Sequence, residues 1–242
     1  MAKWKERAVL LFKEEGIQKL ENANVLIVGL GGVGSFASEF LARAGVGKMT
    51  IVDGDVVDIT NINRQLPALH STVGQSKVKV VGDRLLDINP ELKLTRIEEF
   101  LSPERVFDVV TAEFDYVLDC IDSVTPKVNL ILACKRKRVK VISSMGAGGK
   151  YHAEKVKVKD ISKTEYCPLA KNIRKRLKLE GISKGVKVVF TDERSDHESL
   201  EMTDGKNYKR SFYGTNSWMP ALFGLYAAET VVKHLIGKGK TK

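Results

Sequence analysis

A chain of 242 residues, 43% apolar and 29% charged, has enough material to bury a core, and its balance excludes wholesale disorder. The 40 basic against 30 acidic residues leave a net charge of +10, which draws polyanions, nucleic acid and nucleotide phosphates among them, or simply serves solubility. Cys120, Cys134 and Cys167 form no CxxC pair, so neither a zinc ribbon nor a thioredoxin-type dithiol is encoded.

The N-terminal run MAKWKERAVLLFKEEG is charged throughout and holds no long apolar stretch, so no secretory leader is expected. Val25–Val28 is a continuous apolar run of the kind a buried strand needs, followed by glycines and an amphipathic helix over Ser35–Ala44. Met49–Val52 is the next strand. Ser76–Ile88 has helical spacing and stops at Asn89-Pro90. Leu92–Ile97 reads as a third strand, Pro103–Ala112 as a helix, and Tyr116–Leu118 as a fourth strand. Lys127–Lys137 is helical and Val139–Ser143 is a fifth strand. This βαβ alternation predicts an α/β fold, a doubly wound, Rossmann-like and mostly parallel sheet with helices on both faces.

After Gly149 the rhythm changes. Gly146–Gly149 reads as a permissive turn between parts of the chain. Val156–Val158 and Val186–Phe190 are predicted strands, with a basic helix, Leu169–Leu179, between them. Thr191–Tyr213 is polar with no periodic apolar face and is predicted to be a mobile loop. A helix over Ser217–Ile236 follows. It contains Pro220, Glu229, Lys233 and His234, so it reads as a packed helix and not a membrane span, and the expected location is the cytoplasm. The organisation expected is residues 1–150 as a nucleotide-binding part, with 151–242 a smaller basic extension packed on the same domain.

Chemistry enters at Gly29-Leu30-Gly31-Gly32-Val33-Gly34, a GxGxxG turn between a strand and a helix. The glycines allow a tight turn with backbone close to phosphate, and the helix N-terminus offers free N–H groups to the anion. Asp53, ending the next strand, stands where a carboxylate accepts ribose hydroxyls. These features suit an NAD-dependent dehydrogenase as well as an ATP enzyme. The segment that follows separates the two. Asp55, Asn63, Arg64, Gln65 and Lys77 add an Arg and a Lys that hydride transfer does not need. Attack at the α-phosphorus of ATP does need them, because charge builds on phosphoryl oxygens and on the leaving pyrophosphate. Asp122, in the sequence DCIDS after the fourth strand, is placed to hold Mg²⁺ against the phosphates, or to cap the next helix.

Taken in order, GLGGVGS, LARAGVGKMTIVDGDVVDITNINRQ, VGQSKV, INP and DCIDS resemble the ThiF/MoeB superfamily of adenylyltransferases, relatives of ubiquitin-activating enzymes, over roughly Arg7 to Ser144. The resemblance implies adenylation of a carboxylate with ATP and Mg²⁺ in a homodimer. It assigns nucleotide contacts to Gly29, Gly31, Gly32, Gly34, Asp53, Asp55, Asn63, Arg64, Gln65 and Lys77, and metal to Asp122. It makes Arg64, Lys77, Asp122 and Arg7 catalytic, Arg7 by reaching the partner subunit's ATP site; the bland alternative for Arg7 is a charged residue on an exposed helix.

Members that activate sulfur-carrier proteins carry two CxxC pairs, which this chain lacks. The continuation VISSMGAGGKYHAEKVKVKDISKTEYCPLAKNIRKRLK instead resembles the TcdA (CsdL/YgdL) branch, the tRNA threonylcarbamoyladenosine dehydratases. That branch implies a tRNA substrate and, as a cooperating protein, a cysteine desulfurase or sulfurtransferase. The alternative is activation of the C-terminal carboxylate of a ubiquitin-like sulfur carrier. With tRNA implied, Lys171, Arg174, Lys175 and Lys178 of the basic helix become phosphate contacts, where otherwise they are a solvated face. Cys167 is read as non-catalytic, and Cys120 and Cys134 as core residues.

Overall fold

The computed structural model describes residues 3–203 and 211–238. Its main sheet has seven strands: β1 (Asn24–Val28), β2 (Lys48–Val52), β3 (Lys93–Ile97), β4 (Tyr116–Asp119), β5 (Lys140–Ser144), β6 (Val156–Asp160) and β7 (Lys187–Thr191). They lie in the order β3-β2-β1-β4-β5-β7-β6, all parallel except β6, which runs antiparallel to β7. The strand order reverses between β1 and β4, so their C-terminal ends diverge into the crevice where such sheets hold ligands.

Helices α1 (Glu6–Asn22), α2 (Gly34–Ala44), α3 (Lys77–Ile88) and α7 (Trp218–Leu235) cover one face. Helices α4 (Pro103–Val109), α5 (Val124–Lys137) and α6 (Pro168–Leu179) cover the other. The strands show why both faces need covering. In β1, Val25 and Ile27 join the first core while Leu26 and Val28 join the second, the period-2 alternation of a sheet buried on both sides. The α2 and α7 helices pack closely because Gly224 carries no side chain: a Cβ there would lie 2.5 Å from the Val33 carbonyl oxygen. Within α1, Lys13 adopts φ 62°, and the helix kinks there.

Several boundaries depart from the sequence reading. The α4 helix ends at Val109, three residues before Ala112, and α5 begins at Val124, three before Lys127. The larger correction concerns Thr191–Tyr213. Thr191 is the buried end of β7, and Glu193 and Ser195 are buried too. The Glu193 carboxylate accepts hydrogen bonds from the backbone N–H groups of Tyr151 (2.9 Å) and His152 (3.0 Å), and Lys150 donates to the Glu193 carbonyl. A 3₁₀ turn at His197–Ser199 leads into β8 (Leu200–Met202), which pairs with β9 (Ser211–Tyr213) as an antiparallel ribbon. Residues 204–210 of the expected loop, and 239–242 of the basic tail, lie outside the described residues. Order here comes from carboxylate–amide contacts, which leave no apolar period in the sequence.

Candidate functional site

The glycine turn links β1 to α2 at the switch point. Gly29 takes φ 91° and donates its N–H to the Val52 carbonyl at 2.8 Å. A Cβ on Gly34 would sit 1.7 Å from the Gly29 carbonyl oxygen, so the helix can begin this close only at a glycine. Gly32 is pressed on Pro220 of α7, where a Cβ would approach to 2.9 Å. At Gly31 the nearest atom to an added Cβ is Gln65 Nε2, at 3.7 Å. No side chain caps the start of α2, and although the Ser35 N–H is taken by the Gly31 carbonyl at 3.2 Å, the positive end of the helix dipole there favours an anion.

Asp53 fastens this turn to β2. One carboxylate oxygen accepts from the Leu30 N–H at 2.6 Å and the other from the Asp55 N–H at 2.8 Å. Burial pushes its pKa up, against the pull of those amides and of Lys77. The side chain therefore shapes the turn as well as facing the crevice, a part that the ribose reading alone did not contain. Lys77 opens α3; its side chain is buried and its ammonium lies 3.1 Å from Asp55.

A third wall is the segment Ile59–Gln65. Arg64 donates from Nη1 to the Thr60 carbonyl and to Asn63 Oδ1, both at 2.8 Å. Asn63 donates in turn to the Thr215 carbonyl at 2.8 Å, joining this wall to the stretch before α7. Burial pulls the Arg64 pKa down and the charge of Asp122 opposes it, so the two side chains feel each other across the crevice. Gln65 Oε1 is buried beside Gly31 with no hydrogen-bond partner, an acceptor that a ligand hydroxyl, amine or bridging water would satisfy.

Asp122 is exposed and lies in the short connection from β4 to α5. The N-cap of α5 is Ser123, which removes the capping explanation for Asp122. The structure thus brings together the glycine turn, Asp53, Asp55, Asn63, Arg64, Gln65, Lys77 and Asp122. Arg7 stands apart, exposed in the first turn of α1.

Sequence reading missed what lies beneath Asp122. Asp119, at the end of β4, and Lys127, in the first turn of α5, are both fully buried and 2.8 Å apart. The signal was available: Lys127 shares one helical face with Ile131 and Cys134, which are also fully buried.

Away from the crevice, Lys171, Arg174, Lys175 and Lys178 of α6 line a surface groove of about 410 Å³ with Ile161 and Ser162. Arg174 is partly committed, since it donates to the Thr164 carbonyl at 2.9 Å and to the Thr164 hydroxyl. Ala170, Ile173 and Leu177 form the buried stripe of α6. Cys167 is the N-cap of this helix, its sulfur accepting from the Ala170 N–H at 3.5 Å. Cys134 is fully buried and Cys120 partly so, and burial pushes the Cys120 thiol up to about 12.

The ThiF family profile matches residues 5–242. A tRNA threonylcarbamoyladenosine dehydratase of Bacillus subtilis is 40% identical over 237 residues, covering 95% of this chain and 93% of that protein. The crystal structure of the Escherichia coli tRNA threonylcarbamoyladenosine dehydratase in complex with ATP superposes with a TM-score of 0.88 at 35% identity, over 98% of this chain and 97% of the other. The molybdopterin-synthase adenylyltransferase of E. coli is also 40% identical, but over only 132 residues, 54% of this chain and 53% of that protein.

Proposed function

The chain belongs to the ThiF family, and on that premise we propose that it is an ATP-dependent dehydratase of tRNA threonylcarbamoyladenosine. The carboxylate of the threonylcarbamoyl group attacks the α-phosphorus of ATP and pyrophosphate leaves. An internal nucleophile of the same group then displaces AMP and closes the ring, with net loss of one water. No covalent nucleophile on the protein is required, only positioning and charge stabilisation. The observation that carries this reading is the length of the match. The dehydratase of B. subtilis aligns along nearly the whole chain, whereas the adenylyltransferase of molybdopterin synthase aligns over about half.

Within the site, Gly29, Gly31, Gly32 and Gly34 let the backbone approach the phosphates. Asp53 and Asp55 shape the turn, while Asn63 and Gln65 supply polar groups. The orphaned Gln65 Oε1 supports a ligand against Gly31. Arg64 and Lys77 are the cations that stabilise charge on the phosphoryl oxygens and pyrophosphate; Arg64 can engage two oxygens, and Lys77 acts as a point charge. Among the described residues, no three His, Cys, Asp or Glu side chains gather into a metal cluster. A single carboxylate beside phosphates is nevertheless the donor set that Mg²⁺ takes, and Asp122 supplies it. When bound there, the metal would neutralise phosphate charge.

The division of labour proposed is a nucleotide-holding part, residues 1–150, and a tRNA-facing part, 151–242, in which Lys171, Lys175 and Lys178, with Arg174, meet backbone phosphates. Exposed Arg7 fits a homodimer in which it reaches the partner subunit's ATP. No helix among the described residues is long and apolar enough to cross a membrane, in keeping with a cytoplasmic enzyme.

The test is incubation with ATP, Mg²⁺ and tRNA bearing threonylcarbamoyladenosine, followed by nucleoside mass spectrometry. Loss of one water is expected, falling about 100-fold or more in Arg64→Ala with an unchanged melting temperature. ATP binding without dehydration would overturn the substrate and leave carrier-protein activation as the reading.

A further inference from the structure

We propose that Asp119 and Lys127 are positioning residues, a buried ion pair that fixes the connection Cys120–Ser123 and thereby aims Asp122 at the nucleotide crevice. The proposal rests on the reading of Asp122 given above. Its geometry is independent of that reading. Lys127 Nζ lies 2.8 Å from Asp119 Oδ2, and Ser143 of β5 donates to the same oxygen at 2.5 Å. Lys127 also donates to Ser143 Oγ at 3.2 Å. The other carboxylate oxygen accepts the N–H of Ile121 at 3.2 Å, inside the connection itself.

The pair therefore clamps both ends of a four-residue link: Asp119 is the last residue before it and Lys127 sits one turn after it. From the other side the link is held by the glycine turn. A Cβ on Gly29 would stand 2.9 Å from the Cys120 carbonyl oxygen, so the two segments touch backbone to backbone. Beyond the link, Asp122 acts by its charge on Arg64. Contacts thus run from a buried pair between β4, β5 and α5 to the connection that carries Asp122, whose charge reaches Arg64 across the crevice.

Stability alone does not account for this pair. Removing two full charges from water is costly, and apolar replacements of similar volume are often neutral or stabilising. A pair at the end of two strands and at the foot of a functional loop has another use: it gives the loop one geometry. Groups that orient a metal ligand from behind commonly change metal affinity or activity about 10- to 100-fold when removed.

The experiment compares the parent with the Asp119→Asn/Lys127→Met double variant, which neutralises the pair at similar volume, by titrating ATP calorimetrically with and without Mg²⁺. Thermal melts run alongside. The expected result is a melting temperature near the parent's, ATP affinity without metal within about threefold, and loss of at least ~10-fold of the Mg²⁺-dependent gain in affinity. Ser143→Ala, which removes one hydrogen bond and no charge, should reduce that gain in the same direction with little effect on melting, and it decides the matter if the double variant does not fold. A folded double variant with the parent's full Mg²⁺-dependent gain overturns the proposal alone, as does an unaltered gain in Ser143→Ala when only that variant folds. A parent without any Mg²⁺-dependent gain overturns the role of Asp122 and this proposal with it.

Discussion

Replacing Gly31 with alanine separates what the nucleotide requires from what the fold requires. A methyl at Gly31 meets nothing nearer than Gln65 Nε2 at 3.7 Å, an ordinary contact, and its φ lies outside the left-handed region. In such a position Gly→Ala holds stability or raises it by about 0.4–1 kcal/mol, because the unfolded chain loses freedom. The melting temperature should therefore stay level or rise. The ligand tells a different story. If phosphate is bound by this turn, a methyl forces it back and removes a charge-assisted hydrogen bond worth roughly 1.5–3 kcal/mol. That corresponds to a loss of about 10- to 150-fold in ATP affinity. Calorimetric titration of ATP beside thermal melting reads both quantities on one sample. A stable variant that binds ATP within about threefold of the parent would refute the placement of phosphate against Gly31.

Gly34→Ala makes the opposite case, since its Cβ would lie 1.7 Å from the Gly29 carbonyl oxygen. Urea unfolding should register a loss of about 1–3 kcal/mol, and a melt equal to the parent's would show that the turn has slack. Glu39 of α2 is bound by Arg84 at 2.5 Å and Arg43 at 2.7 Å. Burial raises its carboxyl pKa, and the two guanidinium groups more than offset this, leaving it below the ordinary 4.5. Its stabilisation is thus present above that value and is lost as pH falls through the lower folded-state one. Glu39→Gln should cost about 1 kcal/mol at pH 7, with the gap to the parent closing under acid; a gap independent of pH would refute the ionic origin.

The parts of the fold that were legible from sequence are those set by local pattern. Val25–Val28 is an unbroken apolar run, and Met49–Val52 is broken only by the buried Thr50, because the parallel strands they form are covered on both faces. The glycine turn was legible because its spacing follows from sterics within a few residues. Lys127 was legible only in part: its spacing sets it on one helical face with Ile131 and Cys134, but a lysine on a helix usually keeps its head in water, and only Asp119 at the end of β4 reveals why this one is buried. The order around Glu193 was equally hidden, for its partners Tyr151 and His152 lie some forty residues upstream, at separations of 42 and 41. Propensity reads neighbours in sequence, and these contacts join neighbours only in space.

The contact between Gly32 and Pro220 bears on how the protein is made. The turn that would cradle phosphate is an early stretch of the polypeptide, yet its back wall belongs to a helix synthesised long afterwards. A ribosome-bound nascent chain can form β1, β2 and the strands beside them while that wall is still missing. A polypeptide halted before α7 lacks the helix that packs on α2 and Gly32, and its glycine turn is open at the back.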